Sequence, residues 1–356
     1  MIPVERSRAT NLLFWAGFLF ILVIGIKMTA YVFIIVVVSL ILTLLAWPSM
    51  KRMRKKGVPD LLAVSLLTIL AMAAVLLLLL LTVYSFGFLL QQVPLYQAEF
   101  NERIAEISNL LAGYDFPAEF VPPSTDLATL LDRVLSSLLT LSDIVLYLFF
   151  IAVTTFFMLL EAPHIKGRLR RLPLMDEEKL SRFASLSQYM IDFVVVRTET
   201  NLVHGVLFGS VLYLMGVPAP LLWGVLIFVL SFIPYIGLIV AGIPPIFLAW
   251  LQFGVWGAVA VLVLLIGLNL IVENPVFSYF AARTFEIPPL IVILSLIFWG
   301  WLLGIAGMVF CIPLTLIVLI FIQASDELSW INVLLGVDHI FDNEKKNPGP
   351  GVIAEK

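Results

Sequence analysis

Arg197, Asn201 and His204 recur at i, i+4 and i+7 within a mostly apolar stretch. On a helix that spacing lines a cation, an amide and an imidazole along one face. Glu273 closes a second apolar run, Val259 to Val272, with Asn269 one turn earlier and Asn274 beside it. An ionisable side chain inside a spanning helix costs at least ~2.5–3.5 kcal/mol on insertion scales, so it requires a partner or water. Groups of these types can bind a cation, carry a proton, or line the path of a polar solute, and an imidazole ordinarily titrates near neutral pH. Blander roles stand beside these. Arg197 can snorkel to the inner surface, His204 can complete an interhelical hydrogen bond, and Glu273 can simply meet the interface at a helix end. Glu199 falls about 200° round the helix from Arg197, so it faces elsewhere unless the helix is distorted.

The elements that must position these groups are themselves broken. Ser231-Phe232-Ile233-Pro234-Tyr235-Ile236-Gly237 interrupts one long apolar run, and Gly304 and Gly307 interrupt another. Displacing the sequence by seventy positions lays Pro218 on Pro288, Leu226 on Leu296, Ile227-Phe228 on Ile297-Phe298 and Gly237 on Gly307. Breaks in membrane helices free backbone groups that lipid cannot satisfy, and they survive only where protein or a watery cavity covers them. Paired breaks at corresponding positions are a sequence pointer to a transport site. The freed groups at Pro234, Tyr235, Gly237, Gly304 and Gly307 are therefore candidate contacts for a small-molecule or cation substrate. Gly300 with Gly304, and Gly237 with Ala241, also make small-xxx-small spacings that suit close helix packing.

Composition rules out a soluble globule. It is 62% hydrophobic and 13% charged, with a mean hydropathy of +1.09, whereas soluble domains carry about 45–50% apolar and about 25% charged residues. Eight apolar segments emerge, roughly 12–26, 29–46, 61–90, 143–160, 193–216, 219–252, 255–273 and 288–323. The 61–90 run would measure about 45 Å as a helix and must tilt or project beyond a ~30 Å hydrocarbon core. The first run follows Arg6 and Arg8 like a signal peptide but lacks a small-residue cleavage site, so it is expected to be a retained anchor.

Lys51, Arg52, Arg54, Lys55 and Lys56 follow the second segment, and Lys166, Arg168, Arg170, Arg171, Lys179 and Arg182 follow the fourth. The positive-inside rule puts both loops in the cytoplasm. Between them, residues 91–142 are acidic and belong outside; N- and C-termini are then cytoplasmic in a multi-pass protein of the cell membrane. Phe100, Ile104, Ile107 and Leu111, and then Leu127, Leu131, Val134 and Leu138, repeat at helical spacing. They predict a two-helix extracytoplasmic cap whose apolar faces need a partner: each other, the membrane surface or another subunit. Leu180, Phe183, Ser187 and Met190 predict an amphipathic cytoplasmic helix leading into the fifth segment, with a loose linker as the alternative. Glu161 is expected to cap the end of the fourth segment, and Arg283 with Glu286 to pair with each other or with headgroups. The chain thus divides into 1–90 (membrane segments and basic loop), 91–142 (cap), 143–192 (span and amphipathic helix), 193–323 (transport core) and 324–356 (cytoplasmic tail). The fold class is all-α and polytopic, with two Pro/Gly-broken units of inverted topology. Halves of about 15 residues fall short of the ~20 that span comfortably, which favours re-entrant pairs.

Several stretches together resemble the AI-2E family of transporters, named after autoinducer-2 exporters. They are Pro48 with the basic run and Gly57-Val58-Pro59, Gly216-Val217-Pro218-Ala219, Phe232-Ile233-Pro234-Tyr235-Ile236-Gly237, Pro288 with its apolar run, and Gly304-Ile305-Ala306-Gly307-Met308 before Ile312-Pro313. The resemblance extends from the first span to about Ile322. It implies eight membrane segments, a homo-oligomer, and either export of a small molecule or cation–proton exchange. Two departures stand out. Glu273 is followed by Asn274-Pro275 where the family pattern often reads Asn-x-x-Glu-Pro, and Arg197-Thr198-Glu199 stands where a polar-Gly-polar pattern is expected.

Enzymatic motifs are missing from the sequence. There is no Gly-x-x-x-x-Gly-Lys-Ser/Thr loop, and the histidines at 164, 204 and 339 lack metal-ligand spacing. Cys311 is the one cysteine and lies in an apolar run. The expectation is no enzyme, no cofactor, no metal and no nucleic acid, with lipid and a transported solute as partners. The leading reading is a secondary transporter, with Na⁺/H⁺ antiport or a non-transporting membrane scaffold as alternatives.

Overall fold

The computed structural model describes residues 8–112, 141–171, 177–281, 288–324 and 334–335. Among them the long regular elements are all helices: α1 (Arg8–Met28), α2 (Ala30–Lys55), α3 (Asp60–Ala112), α4 (Leu141–Leu169), α5 (Glu177–Met215), α6 (Pro220–Leu230), α7 (Gly237–Ala281), α8 (Pro289–Val309) and α9 (Cys311–Ala324). Five of these contain stretches long and apolar enough to cross a bilayer, within α2, α3, α4, α7 and α8. Their outward faces carry residues such as Leu66, Ile69, Leu70, Phe149 and Val263, all well exposed. Exposed apolar surface on this scale marks contact with lipid or another protein rather than water. At 11 and 14 residues, α6 and α9 are too short to span alone, a comfortable span needing ~20 residues.

Two boundaries differ from those expected. The apolar run ending near residue 90 does not end its helix: α3 continues unbroken through Pro94 to Ala112. Hydropathy falls at Gln91 and Gln92, but backbone hydrogen bonding does not depend on hydropathy. The half of the cap that is described is therefore an extension of α3, and its apolar face has a partner not foreseen. Phe100 meets Phe247 of α7 edge-on, with ring centroids 6.2 Å apart, and Tyr96 packs into the same cluster. The second half of the cap, the Arg283–Glu286 pair and most of the tail lie outside the described residues. Next, α4 continues past Glu161 to Leu169, so Glu161 is no terminal cap; it pairs with Arg168 at 2.7 Å. The stretch before Asp192 is helical from Glu177 and leads without a break into the fifth segment, as expected, both belonging to α5.

The core gathers where α5, α6 and α7 meet. Phe208 and Leu212 of α5, Leu222, Trp223 and Ile227 of α6, and Leu248, Ala249 and Val261 of α7 are all buried there. Glycines set the spacing between α5 and α6. A Cβ on Gly224 would sit 2.7 Å from the Gly205 carbonyl oxygen, and one on Gly205 would collide with the Gly224 carbonyl. Gly209 faces Pro220 while Gly205 faces Phe228, so the two helices run antiparallel. With no side chains intervening, backbone packs on backbone. Gly224→Ala is expected to force the pair apart at about 1–3 kcal/mol, the usual range for overpacking. Thermal denaturation in detergent should register the loss, and an unchanged melting temperature would contradict this packing.

Two further breaks punctuate the helices. Gly254 (φ 70, ψ −162) bends α7, and Gly304 (φ 65, ψ −146) bends α8. Both lie in a region of backbone space essentially reserved for glycine. The bend at Gly254 coincides with the gap between the 219–252 and 255–273 segments, and the Arg103 guanidinium of the α3 extension reaches it, 3.6 Å from where a Cβ would stand.

Candidate functional site

Residues 231–236 form the turn between α6 and α7. Pro234 cannot donate, and Tyr235 adopts φ 63, so the helix stops and restarts at Gly237. The turn closes much of its own hydrogen bonding: the amides of Ser231, Phe232, Ile233, Ile236 and Gly237 donate to carbonyls three or four residues back or, for Ile236, two. Few amides are thus left to bind anything, fewer than the sequence suggested. The Ser231 carbonyl is turned outward from the helix end and is taken by a side chain instead.

That side chain is Arg197. Its Nη2 donates to the Ser231 carbonyl at 2.7 Å, while Nη1 donates to both Glu273 oxygens at 2.8 Å. The side chains of Arg197 and Glu273 are 16% and 32% exposed. One guanidinium thereby joins α5, the α6–α7 turn and the far half of α7. Sequence position hides this contact, because the two charges are 76 residues apart and spacing reveals neighbours only within one helix.

The Arg197, Asn201 and His204 stripe does face inward. Asn201 and His204 are each 1% exposed. Neither Asn201 Nδ2 nor Oδ1 has a hydrogen-bond partner, nor does His204 Nε2, nor the buried Ser231 hydroxyl. His204 lies within electrostatic reach of Glu273 and Arg197. Buried polar atoms are nearly always paired, and each unpaired one calls for an explanation. Here three residues present four of them: Asn201 and His204 lie one and two turns along α5 from Arg197, and Ser231 carries the carbonyl that Arg197 holds. Ser231 went unnoticed in the sequence, although a serine just before Pro234-Tyr235-Ile236-Gly237 was a usable signal.

The other expected site residues divide. Glu199 is exposed on the far side of α5, as its angle implied. Asn269 is half-buried, one turn before Glu273 on α7. Asn274 continues that helix, and its side chain is outside the description. Pro234 is half-buried, Tyr235 exposed and Gly237 buried. Gly304 is exposed at its bend and Gly307 is buried. The two broken regions touch: Ile233 of the first shares a cluster with Leu296 and Cys311, bordered by Trp299 and Met308. Just before Gly304 the second unit rests on α1 and α2, where Leu302 and Leu303 pack with Val37 and Lys27 Nζ sits 3.8 Å above the Trp301 ring.

A helical chain with several membrane-crossing stretches and a buried, unsaturated polar site beside broken helices has the character of a membrane transporter. A sequence model described as AI-2E family transporter matches residues 12–327, and the chain belongs to that family. It is similar to the AI-2 transport protein TqsA of Escherichia coli (strain K12), 30% identical over 340 residues that cover 94% of this chain and 97% of that protein. A putative transport protein of Haemophilus influenzae is 29% identical, covering 89% and 93% of the two chains. The Escherichia coli putative transport protein YhhT is 23% identical, covering 94% and 96%.

Proposed function

We propose that this protein is a secondary transporter that exports a small polar solute across the cell membrane, with both termini in the cytoplasm. The solute would bind where Asn201, His204 and Ser231 converge, beside the Arg197–Glu273 pair. One observation carries the reading: buried donors and acceptors with no partner in the protein await one from outside it. Because the adjacent charges neutralise each other, the site favours an uncharged solute rich in hydrogen-bonding groups. The name of the Escherichia coli relative makes AI-2 the first solute to try.

The architecture proposed around this site is a pair of inverted, re-entrant units, α6 with the first half of α7 and α8 with α9. An 11-residue α6 extends only about 16 Å at ~1.5 Å per residue, half a hydrocarbon core. Ending there, it would place the 231–236 turn within the bilayer. The cluster of Ile233 with Leu296 and Cys311 supports two turns acting together. Rocking of these units against the other helices would expose the site to each side alternately. Assembly as a homo-oligomer belongs to the same proposal.

A second reading, Na⁺/H⁺ exchange through Glu273, is favoured by that carboxylate being the more open half of the pair. Proteoliposome flux separates the two. Asn201→Leu and His204→Leu remove the unpaired atoms without opening cavities, so folding should persist while solute flux falls about tenfold, the loss of one to two hydrogen bonds in a dry site. Undiminished solute flux in both variants would overturn the solute site. Sodium-driven proton movement with no solute flux would favour exchange, and no flux of either kind would favour a scaffold.

A further inference from the structure

A second feature borders the core at the N-terminus of α6. A cavity of about 190 Å³ opens between α3 and the start of α6, lined by Tyr84, Ser85, Phe88, Ala219, Pro220 and Leu221. We propose that it seats the ester-carbonyl region of a membrane phospholipid.

Two sets of donors point to an acceptor ligand. Ser85 is 4% exposed, and its hydroxyl has no partner. Among the described residues it shares this with Thr68, Thr155 and Ser231, whereas the hydroxyls of Thr43, Thr82, Thr198, Thr200 and Ser295 each donate to the carbonyl four residues earlier. Independently, α6 begins without a side-chain cap. Ala219 occupies the capping position, and Pro220 fills the first turn without an N–H. The first amides of α6 therefore meet no side-chain acceptor, and a helix N-terminus favours acceptor oxygens.

The identity of the ligand follows from what the walls lack. No charged residue lines the cavity, so a phosphate would be desolvated without a countercharge. A neutral carbonyl oxygen needs none. Tyr84, Phe88 and Leu221 are exposed at the rim. Leu77 and Leu80, exposed on the preceding turns of α3, continue an apolar track along which an acyl chain can lie. The apolar stretch of α3 ends at Gln92, and tyrosine commonly marks the headgroup boundary. Ester linkages lie at that depth.

The test compares two lipids with one headgroup. Purified full-length protein is incubated with diester or diether phosphatidylethanolamine, and retained lipid is counted by native mass spectrometry. Retention of the diester form is expected to exceed the diether by about fivefold, as one or two hydrogen bonds would give. Ser85→Ala should reduce that preference, and Ser85→Leu should fill the cavity and remove the retained lipid. Equal retention of the two lipids by the unmodified protein, which needs no variant to fold, would overturn the proposal. So would a preference surviving in Ser85→Leu, or an oligomer that covers the cavity and retains no lipid. Thermal stabilisation by inorganic phosphate that disappears in Ser85→Leu would replace the ester with an anion. Solute flux is scored separately, since the lipid site and the transport reading stand or fall on different residues.

Discussion

Glu273→Gln is expected to reduce solute flux at least a hundredfold and to lower the thermal stability of the protein. The glutamine is nearly the same size and can still accept a hydrogen bond, so the lost quantity is charge. Arg197 would remain largely buried, holding the Ser231 carbonyl but facing no anion. Removing one partner of a buried pair costs about 3–5 kcal/mol, because the survivor is left uncompensated. Glu273 is 32% exposed, which admits some screening and places the cost near the lower end. About 3 kcal/mol corresponds to roughly a hundredfold if the loss falls on the transport cycle. Arg197→Met tests the reverse removal, freeing both Glu273 and the Ser231 carbonyl. Combining Arg197→Met with Glu273→Gln then separates folding from function: neither charge remains, so stability should recover toward the unmodified protein while flux stays lost. If the double variant transports normally, the pair is a structural fastening and has no part in moving solute. If Glu273→Gln alone transports normally, the carboxylate leaves the mechanism altogether.

What could be read from the sequence, and what could not, follows the range of each physical signal. Helical periodicity acts within one element, and it put Arg197, Asn201 and His204 on one face and Glu199 on another, as the fold does. Local backbone chemistry also acts within a few residues. Pro234 and Gly237 marked the turn at 231–236, and Gly304 marked the bend in α8. The gap at Phe253-Gly254 contains the Gly254 bend, although only as a space between two apolar runs. Contacts across helices have no such local signature. Nothing in the spacing of Arg197 and Glu273 predicts that α5 and α7 bring them together, because that depends on the angle and depth at which packed helices cross. The glycines at 205, 209 and 224 control that approach, yet they read in sequence as ordinary small residues in apolar runs. Hydropathy misplaced the end of α3 for a related reason. It reports which solvent surrounds a helix, whereas the helix itself ends where its backbone bonding ends, at Ala112.

Gly237→Ala and Gly304→Ala are expected to lower flux by two different physical routes. At Gly237 the obstacle is contact: an added Cβ would collide with the Leu230 carbonyl oxygen across the 231–236 turn. The Cβ position is fixed by the backbone and the oxygen belongs to it, so no side chain can swing away to relieve the overlap, and the turn must open. Opening it moves the Ser231 carbonyl from Arg197 and so disturbs the site directly. At Gly304 the surroundings are open, with nothing within 4 Å of a Cβ. There the obstacle is conformation, since φ 65 and ψ −146 are reserved for glycine and holding another residue there costs about 1–3 kcal/mol. The α8 backbone can escape that strain by straightening into continuous helix. Gly304→Ala should therefore keep or raise thermal stability while flux falls by about tenfold or more, the equivalent of 1.4 kcal/mol or above. Gly237→Ala should lose both stability and flux. Gly307→Ala provides the matching control, because its Cβ would collide with the Trp299 carbonyl and should behave like Gly237→Ala. The pairing of effects is the informative result. If Gly304→Ala is fully active, the bend in α8 plays no part in transport, and the two broken segments cannot be working as one device.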